Sequence, residues 1–130
     1  MNVLLDTHTF VFWAEDSPRL TREQSKLIER ATDAGALFVS EISFWEIAML
    51  VEVDRLEFPG PIDEWLERAV ATDIQCVGIT PTIARELASL STTRGWDPAD
   101  RVIVATARVF GAKLVTNDLR IIDSGLVPTV

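Results

Sequence analysis

Four acidic residues follow predicted strands or lie in the helices that come next. Asp6 directly follows the apolar run VLL, and Asp118 comes two residues after the run KLVT. Asp100 lies in the first turn of a predicted helix, and Glu46 lies in the helix after a second apolar run. Because ligands bind beyond the carboxyl ends of strands in open parallel sheets, these four carboxylates are candidate functional groups.

Each acid also has a structural explanation. Asp6 is a candidate N-cap, Glu46 could complete a capping box with Ser43, and Asp118 could be a turn residue. Asp97 precedes a proline, a pattern typical of a helix cap, and we expect it to be structural only. A residue that only caps a helix need not have apolar neighbours. The residues one helical turn from Glu46 and Asp100 are apolar, which favours a functional role for these two acids.

The repulsion among four carboxylates at one sheet edge must be offset by another interaction. Two unit charges 4 Å apart repel by about 4 kcal/mol at an effective dielectric constant of about 20. The chain has one histidine, His8, and one cysteine, Cys76, so hard ions with oxygen ligands, Mg²⁺ or Mn²⁺, are favoured over zinc. A carboxylate site holding such ions is suited to phosphodiester hydrolysis.

The elements that must position these acids alternate along the chain. Apolar runs predict strands at 2–5, 36–39, 75–79 and 113–116, and the run 126–130 is a candidate for another. Helical spacing and caps predict helices at 6–14, 21–33, 43–53, 62–72, 81–90 and 98–110. This alternation predicts an α/β fold with a mainly parallel central sheet and helices on both faces.

Length and composition fit one globular domain, residues 1–130, with 48% hydrophobic and 25% charged residues. The net charge of −8 argues against non-specific electrostatic binding of nucleic acid and favours a basic protein partner. We expect a soluble cytoplasmic protein without a membrane segment, in which Cys76 is a buried strand residue.

Four segments together carry a family resemblance. VLLDTH (3–8), SEISFWEIA (40–48), DPADRVIVATA (97–107) and LVTND (114–118) resemble, in this order and spacing, the PIN-domain nucleases, specifically the VapC-type toxins of bacterial toxin-antitoxin pairs. The resemblance implies a PIN-like three-layer sandwich and a Mg²⁺- or Mn²⁺-dependent endoribonuclease. It also implies a homodimer, held inactive by an antitoxin whose C-terminal segment, expected to be basic, covers the acidic site.

The acidic positions of that family fall on the four acids selected above. The resemblance implies that Asp6 and Asp100 are metal ligands, and that Asp118 is a ligand directly or through water. It implies that Glu46 is a ligand or orients the attacking water. One departure is visible, because many relatives have a lysine four residues after the glutamate, where this chain has Leu50.

Three further residues are candidates for substrate contact. Thr116 is expected to hydrogen-bond a carboxylate or the scissile phosphate, Arg101 to pair with an acid or with RNA, and Trp96 to contact substrate. Trp45 and Trp65, on helical apolar faces, are expected to be core or dimer contacts.

Two other functions compete with the nuclease. A non-catalytic PIN-fold module that binds RNA or protein would share the same sequence features. An acidic phosphoacceptor signalling domain would need a second acid beside Asp6 and an aspartate after the third strand, and the sequence has neither.

Overall fold

A four-stranded parallel sheet forms the centre of the protein, and a computed structural model describes all 130 residues. The strands are β1 (Val3–Leu5), β2 (Leu37–Ser40), β3 (Gln75–Val77) and β4 (Lys113–Val115). Their spatial order is β3-β2-β1-β4, and every neighbouring pair is parallel. The carboxyl ends of all four strands therefore lie at one edge of the sheet.

Seven α-helices surround the sheet. They are α1 (Thr7–Ala14), α2 (Arg22–Asp33), α3 (Ile42–Glu52), α4 (Ile62–Val70), α5 (Pro81–Ser89), α6 (Pro98–Phe110) and α7 (Leu119–Ser124), with a 3₁₀ turn at Ser91–Thr93. The longest, α6, has 13 residues, and none combines the length and apolar character that a bilayer crossing requires.

Alternate side chains of each strand pack into an apolar core on one or the other face of the sheet. Val3 and Leu5 of β1 pack with Leu27 on one face, whereas Leu4 packs with Ile103 on the other. This follows from the two-residue period of a strand. The predicted α/β architecture, a parallel sheet between helices, is confirmed.

The sequence prediction differs from the structure at several elements. Residues 126–130 do not form a regular strand, although Thr129 makes an isolated parallel bridge to Leu114 and backbone hydrogen bonds join Pro128 and Val130 to Leu114 and Thr116. The helix α7 and the 3₁₀ turn were not predicted, because both are too short to show a periodic pattern. Helix α3 begins at Ile42, after Glu41 as the N-cap residue, rather than at Ser43.

One prediction of burial was wrong, and another is reduced to one of its two alternatives. Cys76 is exposed, because β3 is the edge strand and both Gln75 and Cys76 face solvent. Trp45 is 48% exposed and is no core residue, whereas Trp65 is buried as expected.

Candidate active site

The carboxyl edge of the sheet opens into a cleft of about 850 Å³. Five acids line it: Asp6, Glu46, Asp97, Asp100 and Asp118. Asp6 follows β1 and Asp118 comes shortly after β4, and these strands are neighbours in the sheet. The four acids selected from the sequence therefore share one cleft, joined by a fifth.

Asp6 is held by three side-chain and backbone donors at the bottom of this cleft. Its Oδ1 accepts hydrogen bonds of 2.8 Å from the backbone N–H and from the hydroxyl of Thr9. Its Oδ2 accepts a hydrogen bond of 2.5 Å from the hydroxyl of Thr116. The predicted contact of Thr116 with a carboxylate is confirmed. These bonds fix both carboxylate oxygens of a residue that is only 6% exposed.

Three of the acids cap helices and line the cleft at the same time. The carboxylates of Asp6, Asp97 and Asp118 accept hydrogen bonds from backbone N–H groups in the first turns of α1, α6 and α7. A helix N-terminus carries partial positive charge, which favours a carboxylate there. The capping and functional explanations of these residues are therefore compatible.

Three carboxylates approach one another most closely. Glu46, Asp97 and Asp100 each offer an oxygen, and these oxygens all lie within 4.8 Å of one another. The expectation that Asp97 is only a cap missed this placement. Its spacing from Asp100 was an available signal, because residues three apart in a helix lie on one face.

Burial and mutual repulsion disfavour the charged forms of two of these acids. Desolvation, followed by the charges of Glu46, Asp118, Asp97 and Asp6, raises the pKa of Asp100 to about 7. Desolvation is also the main cause that raises the pKa of Glu46, and the side chain of Thr7 partly opposes it.

The donor set fits a hard divalent cation. Three carboxylates without histidine or cysteine among them offer the oxygen ligands that Mg²⁺ and Mn²⁺ prefer. A cation among them would also offset the repulsion that raises the pKa of Asp100.

Glu46 does not form a capping box. The hydroxyl of Ser43, which such a box would use, is buried and lies 2.9 Å from the hydroxyl of Thr7. This hydrogen bond joins α3 to the start of α1. It therefore fixes the helix that carries Glu46 against the strand end that carries Asp6.

Arg120 is the only cation paired with a cleft carboxylate. Its guanidinium donates a hydrogen bond of 3.3 Å to Oδ2 of Asp100 and lies 5.2 Å from the centre of the Trp96 ring. Trp96 thus packs beneath Arg120 and does not line the cleft. The Arg120 side chain is 47% exposed, and no other acid of the cleft takes part in an ion pair.

Arg101 pairs with no acid, contrary to one of its two predicted roles. Its Nε donates a hydrogen bond of 3.0 Å to the hydroxyl of Thr93. This contact joins the start of α6 to the 3₁₀ turn. Arg101 is also absent from the lining of the cleft.

Comparison with known proteins identifies relatives across nearly the whole chain. The PIN domain family model matches residues 3–124. Ribonuclease VapC22 of Mycobacterium tuberculosis is 40% identical over 119 residues, which cover 92% of this chain and 88% of that protein.

Two solved structures share the fold at low sequence identity. The VapBC2 structure from Rickettsia felis, bound to a promoter DNA fragment, has a TM-score of 0.73 at 16% identity and covers 100% of this chain and 98% of that one. The DNA-bound VapBC structure from Salmonella typhimurium has a TM-score of 0.71 at 20% identity, with coverage of 100% and 97%.

Proposed function

The chain belongs to the PIN-domain family, and from this membership we propose that it is a metal-dependent endoribonuclease, the toxin of a VapBC-type toxin-antitoxin pair. The observation that carries the proposal is the approach of Glu46, Asp97 and Asp100 in a cleft that also holds Asp6 and Asp118. A relative that is 40% identical and named a ribonuclease supports RNA as the substrate.

The acidic residues would hold Mg²⁺ or Mn²⁺. Glu46, Asp97 and Asp100 are the proposed ligands, and we add Asp6 and Asp118, which line the same cleft. The bound ion supplies positive charge that polarises the scissile phosphate and lowers the pKa of an attacking water.

The side chains around these ligands prepare them for that role. Thr9 and Thr116 hold the Asp6 carboxylate in one orientation, so its placement costs little reorganisation. The hydrogen bond between Thr7 and Ser43 fixes α3, from which Glu46 reaches the attacking water or the ion. Asp97 caps the N-terminus of α6 and still offers a carboxylate oxygen close to those of Glu46 and Asp100.

Two partners are part of the proposal. The cleft carries five carboxylates on a chain of net charge −8, which suits the basic C-terminal segment of an antitoxin. The exposed apolar residues Trp45, Met49 and Val53, four apart on or just beyond α3, suit an interface with a second copy of the chain. Toxin and antitoxin would act in the cytoplasm, where the RNA is.

The competing functions differ in what they require. A phosphoacceptor domain of the receiver type has the strand order 2-1-3-4-5, which the order β3-β2-β1-β4 does not match. A PIN-fold module that binds without cutting has no need for carboxylates with raised pKa values gathered in a cleft, because their repulsion weakens the fold.

The test is cleavage of a structured RNA transcript by the purified protein. We expect cleavage with Mn²⁺ or Mg²⁺, none with EDTA, and a loss of at least about 100-fold in the Asp100→Asn variant. Asp73→Asn removes the same charge from an exposed loop and should cleave like the wild type. Cleavage that survives EDTA or Asp100→Asn would contradict the proposal.

A further inference from the structure

Two arginines line the acidic cleft without a carboxylate partner. The chain forms only two ion pairs, Arg108 with Glu86 and Arg120 with Asp100. Arg19 and Arg55 also line the cleft, are exposed, and belong to neither pair. In a chain with 20 acidic residues against 12 basic ones, their charges are left free for a ligand.

Arg19 is held in place by an aromatic ring. Its guanidinium lies 5.6 Å from the centre of the Phe12 ring, and Phe12 lines the cleft beside it. Stacking of this kind uses the face of the guanidinium and leaves the N–H groups at its rim free to bind phosphate oxygens.

Arg55 is positioned by the end of α3. The chain turns there through Asp54, whose φ is 58°, and the backbone N–H of Arg55 donates a hydrogen bond of 2.8 Å to the carbonyl of Leu50. This arrangement is a Schellman motif, in which the N–H after the left-handed residue closes on the last helical turn. It places Arg55 next to Leu50 in the cleft wall.

The two arginines come after the parts of α1 and α3 that line the cleft with the acids. Along α3, Leu50 follows Glu46 by one turn, a rise of about 6 Å, and Arg55 comes after it. Along α1, Phe12 follows His8 by one turn, and Arg19 stacks on Phe12. Both helices begin just after strands, so each arginine lies beyond the helical turn that carries residues of the acidic part of the cleft.

We propose that Arg19 and Arg55 form a phosphate-binding subsite that holds the RNA backbone next to the scissile phosphate. The inference rests on the proposed ribonuclease function. The two arginines bind substrate away from the reacting bond, because they hold the RNA strand while the acids of the cleft act on that bond. Their planar donor groups match phosphate oxygens, and their charge offsets part of the net charge of −8 that repels RNA.

The test measures how RNA binding depends on salt. The probe is a fluorescein-labelled, single-stranded 20-nucleotide RNA of mixed sequence, bound to the Asp100→Asn protein with Mg²⁺ and followed by fluorescence anisotropy. Each lost phosphate contact should reduce the slope of log K against log salt by about 0.7. We expect that reduction, and binding about 5- to 10-fold weaker, for Arg19→Gln and for Arg55→Gln.

Matched variants separate a phosphate contact from a change of net charge or of folding. Arg68→Gln removes one exposed positive charge on α4, outside the cleft, and should leave the slope unchanged. Arg19→Lys keeps the charge and should retain most of the slope. In the cleavage-competent protein, Arg19→Gln and Arg55→Gln should raise KM while kcat stays within about twofold.

The outcomes distinguish this inference from the function on which it rests. The proposed subsite is wrong if the wild type cleaves RNA but both arginine variants match Arg68→Gln in salt slope and in KM. The two arginines would then be available to bind an acidic protein segment. If the wild type neither cleaves nor binds RNA, the ribonuclease proposal itself fails.

Discussion

The hydroxyl of Thr116, one residue beyond β4, donates a hydrogen bond to Oδ2 of Asp6, one residue beyond β1. The same hydroxyl oxygen accepts a hydrogen bond of 3.1 Å from the backbone N–H of Asp118. One buried side chain therefore connects two of the proposed ligands across neighbouring strands. Its orientation depends on the parallel pairing of β1 with β4.

Replacing this hydroxyl should impair the site more than the fold. Thr116→Val keeps the shape but leaves Asp6 without one donor and the N–H of Asp118 without its acceptor. We expect a loss of about 1–3 kcal/mol in the free energy of unfolding and a fall in cleavage of at least about tenfold. Thr116→Ser retains the hydroxyl and should keep most of the activity. Equal activity of the valine and serine variants would show that the hydroxyl does not serve the site.

Removing the Asp100 carboxylate should stabilise the metal-free protein at neutral and alkaline pH. The folded state raises the pKa of Asp100 from 3.8 to about 7, so it binds a proton more tightly than the unfolded chain does. The contribution of Asp100 to stability is therefore fully present below pH 4 and is lost as the pH rises towards 7. The asparagine in Asp100→Asn stays neutral at every pH, so the variant does not lose this stability as the pH rises. The broken contact with the exposed Arg120 costs only about 0–1 kcal/mol.

The measurement is thermal unfolding in EDTA at pH 5 and at pH 8. At pH 8 we expect Asp100→Asn to melt several degrees above the wild type, and at pH 5 the difference should shrink. A lower melting temperature for the variant at pH 8 would mean that the charge of Asp100 stabilises the fold, through Arg120 or the start of α6.

Asp97 offers a way to separate capping from metal binding. Asparagine is as good an N-cap as aspartate but lacks the charge that repels Glu46 and Asp100, so Asp97→Asn should melt at or slightly above the wild type in EDTA. With Mg²⁺ or Mn²⁺ the wild type should gain stability, and Asp97→Asn should gain much less. Asp97→Ala loses the cap as well, and without metal it should be about 1 kcal/mol less stable than Asp97→Asn. Equal metal-induced shifts in the wild type and Asp97→Asn would exclude Asp97 as a ligand.

The same measurement applies to Asp6, with one difference. Asp6→Asn should also reduce the metal-induced shift, but its amide has one acceptor oxygen where the carboxylate has two, so it loses a hydrogen bond from Thr9 or from Thr116. Its melting temperature without metal should therefore fall, unlike that of Asp97→Asn. A full metal shift in Asp6→Asn would count against Asp6 as a ligand.

The exposed apolar face of α3 predicts the oligomeric state. Trp45, Met49 and Val53 are 48%, 40% and 56% exposed, so a charge among them disturbs no core. We expect the wild type to be a dimer in sedimentation velocity and Trp45→Glu to be a monomer with nearly unchanged thermal stability. Val70→Glu places the same charge on α4, at a residue of similar exposure, and should remain dimeric. A monomeric wild type would contradict the proposed interface.

The sequence by itself determined the order of the four strands and of the first six α-helices, and the edge at which the acids gather. Apolar runs gave the four strands, and caps gave the helix ends: Thr21 forms its capping box, and α6 ends at Gly111 with a φ of 58°. These features are local, because hydrogen bonds and periodicity within about four residues specify them. The rule for parallel sheets then placed Asp6 and Asp118 at the same edge.

Only the tertiary structure decided which side chains meet. It brought Asp97 to Glu46, gave Arg120 rather than Arg101 to Asp100, and left Arg19 and Arg55 unpaired in the cleft. Each of these relations depends on the packing of helices that are far apart in the chain, and no local pattern fixes their distances. The exposure of Cys76 has the same origin, because the place of β3 at the sheet edge follows from the pairing of all four strands.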